Sequence, residues 1–102
     1  MKVLFSKPFM KAVRKLSGKQ KDSVRQVIEE VIKARTLEDI TDCIRLVGYS
    51  NVYRIRIGSL RAFFTFHIQI VDGIVHFQYL VSRGQAYTKK IEKELKRIDD
   101  EC

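Results

Sequence analysis

A chain of 102 residues, 45% of them apolar, has the size and hydrophobic content of one domain with a single core, so residues 1–102 are expected to fold as one unit. Twenty Lys and Arg against twelve Asp and Glu leave a formal net charge of +8, which points to a polyanion or an acidic protein as partner without choosing between them. No apolar run approaches the roughly eighteen residues of a membrane helix, and the opening MKVLFSKPFMKAVRKL lacks the apolar core of a signal peptide, so a cytoplasmic protein with no membrane partner is expected.

Lys2 to Ser6 (KVLFS) reads as a first strand, apolar enough to sit inside a sheet, and Pro8 fits the first turn of a helix, where its missing N–H costs nothing. That helix runs from Pro8 to about Leu16, with Phe9, Ala12, Val13 and Leu16 at three- and four-residue steps, and Ser17 with Gly18 ends it. From Lys19 to Arg35, the residues Val24, Val27, Ile28, Val31 and Ile32 form the clearest helical stripe, expected to be core, opposite a wet face of Lys21, Arg25, Glu29, Glu30 and Lys33. Two helices so closely joined form an antiparallel hairpin whose stripe needs a surface to cover. Thr36 to Thr41 is a polar connection, and Cys43 to Val47 reads as a short strand before a turn at Gly48 to Asn51. Cys43 and Cys102 are too few and too isolated for a disulfide framework or a metal site, so free thiols, no metal and no cofactor are expected.

Val52 to Ile70 (VYRIRIGSLRAFFTFHIQI) alternates with period two and reads as two strands around a tight turn at Gly58 and Ser59. Tyr53, Ile55 and Ile57, then Ala62, Phe64, Phe66, Ile68 and Ile70, fall on one face. Val52, Arg54 and Arg56, then Arg61, Phe63, Thr65, His67 and Gln69, fall on the other, so a hairpin paired in register gathers three guanidinium groups on one surface. Acidic neighbours are scarce there: residues 44–83 hold five arginines and Asp72 alone. Val71, Asp72 and Gly73 signal the next turn, and Ile74 to Val81 the last strand, with Val75, Phe77, Tyr79 and Val81 on its core face and His76, Gln78 and Leu80 on the other. From about Gln85 the chain turns helical along a line of Tyr87, Ile91, Leu95 and Ile98. The sum is an α+β fold: an N-terminal strand and a helical hairpin packed on a mostly antiparallel four-stranded sheet, helices on one face, and a C-terminal helix.

Two stretches, Tyr53 to Phe66 (YRIRIGSLRAFFTF) and Leu80 to Lys89 (LVSRGQAYTK), resemble motifs of the RelE/ParE superfamily of bacterial type II toxin–antitoxin toxins. The first is similar to the family's basic pair on one strand followed by an arginine on the next, and the second to its late arginine followed by an aromatic residue. With the preceding helical hairpin, the resemblance spans nearly the whole chain. Its RelE side implies a toxin that is a ribosome-dependent endoribonuclease, an mRNA interferase that inhibits translation by cutting mRNA in the A site. Its ParE side implies a non-enzymatic poison of DNA gyrase, and a third reading is an inactive relative that keeps only its antitoxin. All three imply a cognate antitoxin, an acidic segment of which would lie on the cationic sheet face or beside the helical hairpin.

The RelE resemblance places the catalytic slots on Arg54, Arg56, Arg61, Arg83 and Tyr87. In the cleavage it implies, a 2′-hydroxyl attacks the adjacent phosphate and negative charge builds on the phosphoryl oxygens, which fixed guanidinium groups stabilise by charge-assisted hydrogen bonds. Tyr87 would position or help deprotonate the 2′-hydroxyl, or stack on a base. Family enzymes often carry lysine in the basic pair, and many have a histidine where this chain has Ser82. Arginine does not shed its proton at neutral pH, so the general base is left open. His67 and His76 share the arginine side by alternation and are the candidates for acid, base or RNA contact, with Lys7, Lys11 and Lys15 of the first helix as further contacts to RNA phosphates. A charged strand face and a lysine-rich helix also serve simply as solvated surface.

Overall fold

The computed structural model describes residues 1–68 and 73–101. The strand positions expected at Gln69 and Ile70, the turn residues Val71 and Asp72, and the thiol of Cys102 lie outside them. In chain order the elements are β1 (Lys2–Phe5), α1 (Lys7–Arg14), α2 (Gly18–Lys33), a 3-10 turn (Leu37–Asp39), β2 (Cys43–Arg45), β3 (Val52–Ile57), β4 (Leu60–Ile68), β5 (Gly73–Ser82) and α3 (Lys89–Asp100). The five strands form one sheet in the order β1-β5-β4-β3-β2, with β1 parallel to β5 and every other pair antiparallel. The N-terminal strand therefore joins the expected four-stranded sheet, and it does so at an edge rather than inside, with Leu4 and Phe5 exposed.

Local chemistry sets the helix starts. Ser6 caps α1 by accepting the N–H of Phe9, and its hydroxyl donates to the carbonyl of Gln78 at 2.6 Å, which ties the helix entry to β5. Ser17 and Gln20 form a capping box at the start of α2. One sheet face buries the helical hairpin: Phe9, Val24 and Val31 pack with Ile55, Ala62, Phe64, Val75 and Phe77. Ile32, placed with the core stripe by its spacing, is instead half exposed at 50%, since α2 turns only part of its apolar arc to the sheet.

The opposite face is also covered. α3 lays Ile91, Leu95 and Ile98 over Val52, Phe63, Tyr79 and Val81, so the helices occupy both faces of the sheet and not one. The cause is partly a β-bulge. Phe63 pairs with Tyr79 but Phe64 pairs with Phe77, leaving Gln78 as an extra residue on β5. One inserted residue reverses the alternation beyond it. Leu80 thereby reaches the helical-hairpin core, while Tyr79 and Val81 turn to the arginine face, opposite to their expected sides. That apolar floor is what α3 covers.

Candidate active site

Arg54 and Tyr87, 33 residues apart in the chain, meet on the arginine face: Arg54 Nη1 donates to the Tyr87 phenolic oxygen at 2.6 Å. Thr88 accepts the N–H of Ile91 and caps α3, so the helix begins after Tyr87 and leaves that ring 65% exposed. Tyr87 is thus not the first member of the buried line Ile91, Leu95 and Ile98. The Nε of Arg54 is buried with no hydrogen-bond partner among the described residues, so the guanidinium holds one donor unspent beside the phenol.

Arg56 and Arg61 stand directly opposite each other across β3 and β4. Like charges so placed repel, and the two side chains part. Arg61 is buried, 7% exposed, and its Nη1 donates to the carbonyls of Gly58 and Leu60, both at 2.8 Å, clasping the β3–β4 turn. Gly58 holds that turn with a φ of 58°, a conformation that favours glycine. Arg56 is exposed and points toward Asp42, with Nη2 and Oδ1 3.7 Å apart. The backbone N–H of Arg83 donates to the carbonyl of Ser59 at 2.7 Å, which fixes Arg83 beside the same turn, and its exposed guanidinium has no partner among the described residues. The five sequence-predicted slots therefore converge at one end of the sheet, four of them presenting side chains outward or toward Tyr87 and Arg61 turned inward.

The remaining predicted contacts lie elsewhere. On β4, His67 stands six residues beyond Arg61, roughly 20 Å along the strand, and pairs with Ile74. His76 pairs with Thr65, and burial, followed by the nearby charge of His67, lowers its pKa below the ordinary histidine value. His67 is thus remote from the arginine end, while His76 stands two strands across from Arg54 and two residues further along the sheet. Lys7, Lys11 and Lys15 belong to α1 and its C-terminal cap, in the layer on the opposite side of the sheet.

Beside the Arg54–Tyr87 pair runs a slot of about 300 Å³ lined by Leu46, Val47, Tyr49, Phe63, Ala86, Tyr87, Glu92 and Leu95. The Lys96 ammonium sits over the Tyr49 ring, 4.2 Å from its centroid, and donates to the carbonyl of Gly48. Asp99 accepts the backbone N–H groups of Ser50 and Asn51 at 2.9 and 2.7 Å. Both contacts hold α3 against the β2–β3 loop and so shape the slot.

Toxin RelE3 of Methanocaldococcus jannaschii is 32% identical to this chain over 88 residues, a match that spans 85% of the chain and 96% of that relative. The chain belongs to the RelE toxin family. A RelB–RelE antitoxin–toxin complex from Methanococcus jannaschii is similar in structure, with a TM-score of 0.65, 27% identity, and coverage of 82% of this chain and 94% of that one. An archaeal RelE–RelB complex from Pyrococcus horikoshii OT3 shares the fold at a TM-score of 0.65 and 22% identity, covering 83% of this chain and 97% of that one. No family model matches the chain.

For a RelE toxin, this end of the sheet is strongly cationic and short of nucleophiles. Cys43 on the other face has its thiol pushed up to about 11 by burial, a rise that the Arg54 charge only partly opposes. It is inert near neutral pH. Tyr49 and Glu92, which line the slot of this RelE toxin, carry no signal in its sequence, because only the docking of α3 brings them to Tyr87. No local pattern signals that contact.

Proposed function

We propose that this RelE toxin is an endoribonuclease that cuts mRNA on the ribosome in the cytoplasm, stops translation, and is held in check by a cognate antitoxin, with residues 1–102 acting as one toxin domain. The observation that carries the reading is the hydrogen bond between Arg54 and Tyr87, which joins two remote slots at the end of the sheet where Arg56 and Arg83 also present their charge. A 2′-hydroxyl attacking its neighbouring phosphate gives its proton to water and forms a new P–O bond as the bond to the 5′-oxygen breaks, that oxygen taking a proton from water, and negative charge accumulates on the phosphoryl oxygens meanwhile. Arg54, anchored on Tyr87, and the exposed Arg56 and Arg83 supply donors to those oxygens, a preorganised one being worth ~3 to 4 kcal/mol of transition-state stabilisation. Tyr87, oriented by Arg54, positions the 2′-hydroxyl, and Arg61 acts behind them as a positioning residue that holds the turn. With His67 roughly 20 Å along β4 from Arg61 and His76 two strands across the sheet from Arg54, the catalysis in this reading is charge stabilisation and alignment. Lys7, Lys11 and Lys15 are left to contact ribosomal RNA phosphates.

The antitoxin reading rests on charge: an acidic segment laid on Arg54, Arg56 and Arg83 blocks the phosphate site directly. Inducing the wild type, Arg54→Ala and Arg83→Ala proteins and mapping mRNA 5′ ends tests the activity. New ends within codons, weakened in both variants, are expected. Growth arrest with intact mRNA and broken DNA would instead place the protein with the gyrase poisons, and no arrest at all would mark an inactive relative. Co-purification with the product of the neighbouring reading frame tests the partner.

A further inference from the structure

The slot beside Tyr87 has the features of a nucleobase site, and we infer that it receives one guanine base of the RNA strand, read by the carboxylate of Glu92; this rests on the endoribonuclease reading above. The walls are aromatic and aliphatic: the rings of Tyr49, Tyr87 and Phe63, with Leu46, Val47 and Leu95. Both tyrosine rings are held in place, Tyr49 beneath the Lys96 ammonium and Tyr87 by the bond from Arg54. Unstacked bases of single-stranded RNA bind such surfaces by stacking and are identified through their Watson–Crick edges. At about 300 Å³ the slot is at the lower end of the range of small-molecule sites, sized for a base and not for a peptide helix.

Glu92 is the one acidic side chain in that lining. An ionised carboxylate only accepts hydrogen bonds. Guanine presents two adjacent donors, N1–H and the N2 amino group, which match the two carboxylate oxygens. Adenine and cytosine each present one amino group next to an acceptor nitrogen, and uracil one N–H between two carbonyls, so each sets a lone pair against the carboxylate. The surroundings fit a strand that carries phosphates on both sides of the base. Glu92 also borders a second depression on α3, with Lys89, Lys93 and Lys96. Because Glu92 borders both hollows, the α3 lysines are at hand for a phosphate of the nucleotide whose base enters the slot.

Titration of the full chain with the 3′-monophosphates of guanosine, adenosine, cytidine and uridine, followed by NMR, tests this directly. The guanosine nucleotide is expected to bind about tenfold or more tighter than the uridine one, with shifts at the Tyr49 and Tyr87 rings. Glu92→Gln, at an exposed position that leaves the fold intact, should remove most of that preference. Equal binding of all four nucleotides, shifts confined to other surfaces, or a preference that survives Glu92→Gln would overturn the inference. So would protection of the slot by a protein partner with no nucleotide response. In cells, cleavage sites mapped in Glu92→Gln that lose the guanine bias of the wild type support the slot, and an unchanged bias rejects it while the endoribonuclease reading stands. If the wild type leaves mRNA intact, that reading fails and the nucleotide titration still decides the slot.

Discussion

The Asp99 carboxylate, in the last turn of α3, accepts the backbone N–H of Asn51 at 2.7 Å and that of Ser50 at 2.9 Å, so a helix late in the chain satisfies the loop that leads into β3. Two successive N–H groups on one carboxylate make a charge-assisted pair. Asp99→Ala is expected to lower stability by about 1–3 kcal/mol, read as a shift of the urea midpoint. Faster amide exchange at Ser50 and Asn51 should accompany it. Unchanged exchange at those two amides would show that the staple carries no weight.

Arg61 supports the hairpin from inside. Arg61→Met keeps an apolar stem in the buried site and removes the two bonds to the Gly58 and Leu60 carbonyls, so a loss of about 1–3 kcal/mol is expected. Chemical denaturation measures it. An unaltered midpoint would show that the clasp on the turn is dispensable and would free Arg61 for a direct role in phosphate binding.

Arg54 and Tyr87 should separate charge from alignment. On programmed ribosomes under single-turnover conditions, Arg54→Ala is expected to slow cleavage by about 100-fold or more. Tyr87→Phe keeps the ring and loses only the hydroxyl, so a smaller loss, about tenfold, is expected. Because the Tyr87 ring is exposed, stability in Tyr87→Phe should stay within about 0.5 kcal/mol of wild type. Equal rates in wild type and Arg54→Ala would remove Arg54 from the catalytic set.

His76 gives the fold a pH dependence. Burial, and then the charge of His67, lowers its folded-state pKa below the ordinary value of 6.5. The unfolded chain therefore binds this proton more readily than the folded one, so the His76 contribution is fully present above pH 6.5 and is lost as pH falls from there toward the lower folded value. Urea midpoints measured between pH 5 and pH 8 should rise with pH, and His76→Gln should flatten that slope. A slope of the same size in the variant would assign it to other groups.

Cys43 should resist alkylation. With its thiol pushed up to about 11, very little thiolate exists near neutral pH, and burial adds a steric barrier. Mass spectrometry should show iodoacetamide adducts at Cys43 only after unfolding. Rapid labelling of the native protein would mean that the β2 edge opens easily.

Much of the architecture is written in local pattern. The period-two alternation from Val52 onward fixes β3, β4 and the arginine face, since a slip of one residue would exchange the arginines with Ile55, Ile57, Ala62 and Phe64 of the core. Ser6, Ser17 and Thr88 sit where helices begin, each offering a hydroxyl to an unpaired N–H. The stripe of α2 foretold the helical layer, with Ile32 as the exception because burial depends on how far the helix rolls against the sheet.

What the sequence determined by itself is therefore the set of elements, the face that carries Arg54, Arg56 and Arg61, and the family resemblance borne by those residues. Tertiary structure decided which of them are available. A bulge at Gln78 reverses the sides of Tyr79, Leu80 and Val81, because alternation counts residues and one unpaired residue shifts the count. That reversal builds the floor for α3, α3 shapes the slot at Glu92, and the chain before it brings Tyr87 onto Arg54. Arg61 reads in sequence like its neighbours, yet it is buried in its own turn, because hydrogen bonds to carbonyls on a folded hairpin have no periodicity to announce them.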